Sequence, residues 1–231
     1  MSGGPPTSLA LARLLQLASP VLPVGAYTYS QGLEWAVDSG IVRDEASAGI
    51  WIGGLLEHGV GTFEAPLLAA LHSAWSAGDS AAAGRLNEIF LASREAAELR
   101  AETVQMGYSL RRLLHELGGS GDLPGEALDA IDEIAFPTVW AAVAVAWRIE
   151  PRAALTAYLW SWCENQTMAA LKTVPLGQAT GQRLLLGLGS RVGVVVERAL
   201  ALPEDEWSNF APGFAIACCR HETQYSRLFR S

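Results

Sequence analysis

Apolar residues recur at intervals of three and four along almost the whole chain. No run of alternating apolar and polar residues reads as a half-buried strand. That pattern fits the 3.6-residue turn of an α-helix and not the two-residue repeat of a half-buried strand. Leu9, Leu11, Leu14, Leu15 and Leu17 make a first stripe, with Ser8 as its N-cap. Asp44 opens a helix to about Val60 that buries Ile50, Trp51, Leu55 and Leu56, and Gly61 ends it. Thr62 caps the next, which carries Phe63, Leu67, Leu68, Leu71 and Trp75; Asp79 and Ser80 start another. Residues 93–117 read as one long helix, 126–133 as a short one, and 137–148 and 151–171 as two strongly apolar ones with proline in the first turn. Helices follow over about 179–187, 190–201 and 212–222. Only residues 192–196 are β-branched enough to suggest a strand, and they lie inside a helical pattern. The prediction is an all-α, single-domain helical bundle over residues 1–231, with helices interrupted by Pro and Gly and a flexible segment at 1–7.

The sharpest interruption is residues 20–35. Pro20 and Pro23 fix φ and remove amide donors, so no helix passes through. Gly25 and Gly32 frame a polar-aromatic run of Tyr27, Thr28, Tyr29, Ser30 and Gln31. A shaped, chemically varied loop in an apolar helical chain is where function concentrates; the plain alternative is a rigid connector. Residues 173–178 break the pattern again, and residues 118–125 are the clearest surface loop.

A net charge of −8 argues against nucleic-acid binding and against an anionic membrane surface. Lys172 is the sole lysine and follows Leu171, so no P-loop exists and any nucleotide must be bound by a partner. Cys163, Cys218 and Cys219 are odd in number and do not form a disulfide framework, which fits a reducing, cytoplasmic compartment. No apolar run is long enough to span a bilayer.

Catalytic signatures are sparse. None of His58, His72, His115 and His221 follows a glutamate by three residues, as helical di-iron sites require. Cys218, Cys219, His221 and Glu222 are the one tempting metal cluster, but neighbouring side chains on a helix diverge by about 100°, and free cysteines commonly just pack. No metal site and no cofactor is assigned. Asp129 and Asp132 share a helix face and leave one enzymatic alternative, a Mg²⁺-dependent helical-bundle enzyme acting on a small apolar substrate. At the C-terminal side, Arg220, Arg227 and Arg230 stand among Tyr225, Leu228 and Phe229 with no acid after Glu222. Arginine and aromatic residues favour interfaces, so residues 222–231 read either as a binding tail or as a segment packed on its own core.

Four segments in order carry a family resemblance: LASPVLPVGAYTYSQGLEWAV (17–37), ASREAAELRAETVQMGYSL (92–110), ENQTMAALKTVPLGQATGQRLL (164–185) and RHETQYSRLFRS (220–231). Together the chain resembles the urease accessory protein F (UreF) family. The resemblance implies a non-catalytic, all-α homodimeric scaffold that joins the accessory protein UreD (UreH in some systems). It recruits the GTPase UreG, and the assembly brings nickel to apo-urease. It implies that Arg220, His221, Glu222, Gln224, Tyr225, Ser226, Arg227, Leu228, Phe229 and Arg230 dock UreD/UreH, the tail being mobile until it docks. Tyr27, Ser30, Gly32, Glu34, Lys172 and Gln178 are placed by it at the UreG or dimer face. Arg94, Glu95, Arg100 and Glu102 form a polar stripe that organises the interior or faces UreG, or is simply a solvated helix face. Tyr29 departs from the family pattern, which often has histidine there, so no metal-handling imidazole is assigned to the loop.

Overall fold

A computed structural model describes residues 7–117 and 123–231. The expectations for residues 1–6 and for the loop over 118–122 lie outside these. Among the described residues there is no strand, and the α-helices are α1 (Ser8–Leu17), α2 (Leu33–Asp38), α3 (Glu45–Leu55), α4 (Ala65–Ser76), α5 (Ser80–Ala92), α6 (Ala97–Glu116), α7 (Gly125–Asp129), α8 (Phe136–Ala146), α9 (Pro151–Thr173), α10 (Gln178–Ala201) and α11 (Pro212–His221). The all-α prediction holds. None of these helices is long and apolar enough to cross a membrane.

The centre is α8. Every residue from Phe136 to Ala144 is buried, and a helix apolar all round has no face to offer water. Helices α4 and α6 pack on it, with α9 and α10 behind. Trp140 meets Phe136 and Tyr158 edge-on, with ring centroids 5.6 and 5.4 Å away. Buried Asn87 secures the start of α8: its Oδ1 accepts from the Ala135 amide and the Thr138 hydroxyl, and its Nδ2 donates to the Glu133 carbonyl. This accounts for an asparagine in the core, since a buried amide must find partners.

Several boundaries differ from expectation. Thr7, not Ser8, caps α1, accepting from the Ala10 amide. Asp44 caps α3 with a reciprocal Ser47 bond, as expected. Gly61 does not end that helix; residues Leu56–Glu64 run on as a π-helical segment straight into α4. Burial of Leu56, Val60 and Phe63 outweighs the weak helix propensity of glycine there. Ile50 is 76% exposed rather than buried. Helix α6 starts at Ala97, because Ala96 is extended, so Arg94 and Glu95 sit in the connection. Helix α7 stops at Asp129, which leaves Asp132 off it, and α10 runs unbroken through residues 187–190.

Two glycines test the packing. A Cβ on Gly107 of α6 would lie 2.2 Å from the Ile134 carbonyl oxygen, which is backbone and cannot yield cheaply. Gly84 on α5 has open space around it. Urea unfolding of Gly107→Ala is expected to show a loss of about 1–3 kcal/mol or more. Gly84→Ala is expected to gain roughly 0.5–1 kcal/mol. Equal effects at both positions would contradict the close α6–α8 contact.

Candidate functional site

The 20–35 loop and the tail meet and build one surface. Past Pro23 the chain turns through Gly25 (φ 82°) and a single 3₁₀ turn, Ala26–Thr28. Gln31 (φ 53°) and Gly32 (φ 73°) are both left-handed. A Cβ on Gly32 would come within 2.9 Å of the Cys218 backbone nitrogen, so this turn needs glycine for its dihedral and for its fit against α11. The turn points the Ser30 and Gln31 amides and the Ser30 hydroxyl at one acceptor. The Ser231 backbone oxygen takes all three, at 2.6, 3.0 and 2.5 Å.

The tail crosses this turn. Glu34, the second residue of α2, accepts from the Leu228 amide at 2.6 Å and the Phe229 amide at 3.0 Å. The Arg230 amide donates to the Thr28 carbonyl at 2.8 Å. Fully buried His221 lies between two carboxylates, Nδ1 2.7 Å from Glu98 and Nε2 3.2 Å from Glu34. Both nitrogens donate at once only in the imidazolium form. Arg227 donates to the other Glu98 oxygen at 2.6 Å. Glu222 accepts from the Ala97 and Glu98 amides, placing a carboxylate on the N-terminus of α6.

Beneath the loop lies a cleft of about 90 Å³, lined in part by Leu17, Tyr27, Glu64, Arg94, Glu102 and Trp162. Its floor is a chain of polar groups. Arg94 donates to Glu64 at 2.7 Å and lies 4.2 Å from the Phe90 ring centre. Tyr158 donates to the other Glu64 oxygen at 3.2 Å, and burial beside Glu64 holds its phenol well above the usual range. Trp162 donates to Gln31, whose amide donates to Glu102. Burial pushes the Glu102 carboxyl up to about 7. Among the described residues no group of three or more His, Cys, Asp or Glu side chains is placed to hold a metal ion.

The expected tail residues divide into two sets. His221 and Phe229 are buried on the chain's own body, whereas Arg220, Glu222, Tyr225, Ser226, Arg227, Leu228 and Arg230 are exposed and Gln224 half-buried. Ser30, Gly32 and Glu34 face this tail and are buried; Tyr27 is half-buried, with its phenol raised to about 12 by burial and by Glu164. Lys172 is exposed, with Nζ 5.4 Å from the Phe229 ring centre, and exposed Gln178 begins α10. The four-residue polar stripe does not exist as such. Arg94 and Glu102 line the cleft, Glu95 is exposed, and Arg100 pairs outward with Glu133. Cys218 is buried and its thiol raised by that burial, while Cys219 is exposed. The Asp129/Asp132 pair is not assembled: Asp132 is off the helix and Asp129 bonds His115 at 3.0 Å.

Sequence reasoning missed Glu64, Glu98 as the His221 partner, and the Ser231 oxygen. A signal existed for the first, since Glu64 is the only charged residue between His58 and His72. A lone carboxylate in an apolar run needs a buried partner.

The family model described as UreF matches residues 42–189. A protein of Dechloromonas aromatica (strain RCB) named urease accessory protein UreF is 66% identical, the alignment covering 97% of this chain and 99% of that protein. Proteins of the same name from Azoarcus sp. (strain BH72) and Methylobacillus flagellatus are 65% and 52% identical, over 96% and 97% of this chain and 96% and 99% of theirs.

The Arg94–Glu64 pair is largely buried, at 9% and 13% side-chain exposure. Arg94→Ala strands Glu64 as an uncompensated buried charge, and a stability loss of about 3–5 kcal/mol is expected in urea titrations. The double variant Arg94→Met/Glu64→Leu is expected to lose less than Arg94→Ala alone. A double variant no more stable than the single one would contradict a pair whose desolvation offsets its attraction.

Proposed function

Because this chain belongs to the UreF family, we propose that it is a urease accessory protein that acts as a non-catalytic scaffold. It joins UreD/UreH, recruits the GTPase UreG, works as a homodimer in the cytoplasm, and serves an assembly that delivers nickel to apo-urease. Nickel is the cargo here, and GTP is the partner's nucleotide, in keeping with a sequence that holds no P-loop.

One observation carries the reading. The tail is anchored by its backbone and by His221 and Phe229, which leaves Tyr225 and Leu228 facing solvent between Arg220, Arg227 and Arg230. An exposed apolar and aromatic pair with arginines close by in sequence, on a backbone bonded to the body, has the make-up of an interface hot spot. It suits a partner face with an apolar slot and an acidic rim, and UreD/UreH is the partner assigned to it. Lys172, Gln178 and Tyr27 remain the proposed contacts for UreG or for the second copy. The three unpaired cysteines fit the cytoplasm.

Co-purification with UreD and UreG tests the assignment. Removing residues 221–231 also strips Phe229 and Ser231 from the body, so surface substitutions are cleaner. Tyr225→Ala and Leu228→Ala are each expected to weaken UreD capture about tenfold or more, roughly 1.4 kcal/mol, with thermal unfolding of the chain alone unchanged. Full-strength capture by the double variant would rule out this face.

A further inference from the structure

The charges that line the cleft under the loop do not balance. Glu64, Arg94 and Glu102 are its charged lining residues, two carboxylates against one guanidinium. Arg94 is already engaged: its Nη1 donates to Glu64, and its Nε and Nη2 donate to the Ser93 hydroxyl. Glu102, only 6% exposed, accepts from the Gln31 amide at 2.8 Å and the Ser231 hydroxyl at 2.9 Å, and both donors are neutral. Each of its oxygens has a second lone pair to offer. A buried carboxylate with neutral donors and no counter-charge is one that a cation entering the cleft would stabilise.

The walls suit an organic cation. Tyr27, Phe90, Phe136, Trp140, Tyr158 and Trp162 all line the same space. Aromatic rings attract a cation to their faces, most strongly where water is excluded. Arg94 already makes such a contact here, 4.2 Å from the Phe90 ring centre. The cleft volume of about 90 Å³ has room for roughly six water-sized groups. Other guests fit less well. An anion would meet two carboxylates and a guanidinium that is already paired. A neutral molecule would leave Glu102 without a counter-charge. A metal ion would need more donors, since among the described residues no three His, Cys, Asp or Glu side chains are grouped to hold one. We propose that the cleft is a binding site for a small organic cation, an amidinium or alkylammonium with a short apolar body, whose charge is met by Glu102 and whose body packs among the aromatic walls. The site stands on the cleft alone and does not depend on the urease assignment.

Three probes that share one branched skeleton separate charge from shape: isobutyramidinium, isobutyramide and isobutyrate. The full chain is titrated with each at constant ionic strength and at pH 8, above the value of about 7 to which burial pushes the Glu102 carboxyl. The readout is the indole N–H signal of Trp162, which lines the cleft and donates to Gln31 at 2.8 Å. The Trp75 indole, which donates to the Thr138 carbonyl at 3.0 Å, is the control. Isobutyramidinium is expected to shift the Trp162 signal saturably, with a Kd of about 1 mM or tighter, and to leave Trp75 unmoved. The amide and the carboxylate are expected to bind about tenfold more weakly or worse. Glu102→Gln keeps the shape and removes the charge; it is expected to weaken amidinium binding about tenfold or more and to change amide binding by no more than about twofold. Several results overturn the site: no saturable shift at Trp162, an equal shift at Trp75, an amidinium that binds no tighter than its amide, or unchanged amidinium binding in Glu102→Gln. If that variant does not fold, the three-probe comparison on the wild-type chain decides by itself.

Discussion

The Glu34 carboxylate is the contact on which the loop-and-tail surface depends. It takes two backbone amides from the tail and lies against one nitrogen of His221, so one side chain fixes α2, α11 and residues 228–229 together. Charge-assisted bonds to backbone amides are among the stronger interactions a buried carboxylate makes. Their geometry is set by the left-handed turn at Gln31 and Gly32, which starts α2 at the required angle. Without that turn Glu34 would not reach the tail, and the Ser30 and Gln31 amides would not converge on the Ser231 oxygen.

The polar groups under the loop continue the same logic inward. Gln31 connects the turn to Trp162 and Glu102, and Arg94, Glu64 and Tyr158 close the floor of the cleft. These contacts are buried and mutually dependent, so their effects should couple strongly. The exposed pairs Arg85–Glu204 and Arg183–Glu45 have good geometry too, but solvent screens them and they contribute little. A fold built this way keeps its polar network inside and presents Tyr225 and Leu228 outside.

Much of this was legible in the residues. Helical periodicity gave the all-α fold, Asp44 and Asp79 marked true helix starts, and Pro137 and Pro151 sat in first turns as their missing amides require. The Pro/Gly-framed loop and the arginine-aromatic tail were visible as breaks in pattern. What periodicity misread were places where packing overrode local preference. Gly61 stayed inside a continuous helical segment because its neighbours are buried, and extended Ala96 delays to Ala97 a helix that the sequence reading began at residue 93.

The chain's own residues therefore determined its class, its breaks and its lack of a P-loop motif, since each rests on local geometry or on a motif's spelling. Tertiary structure alone decided the pairings. Glu34 with the tail, His221 between Glu34 and Glu98, and Arg94 with Glu64 join residues 30 to almost 200 positions apart. Periodicity reports which face of a helix is buried. It carries no record of which distant carboxylate waits there, because that depends on how the helices are laid against one another.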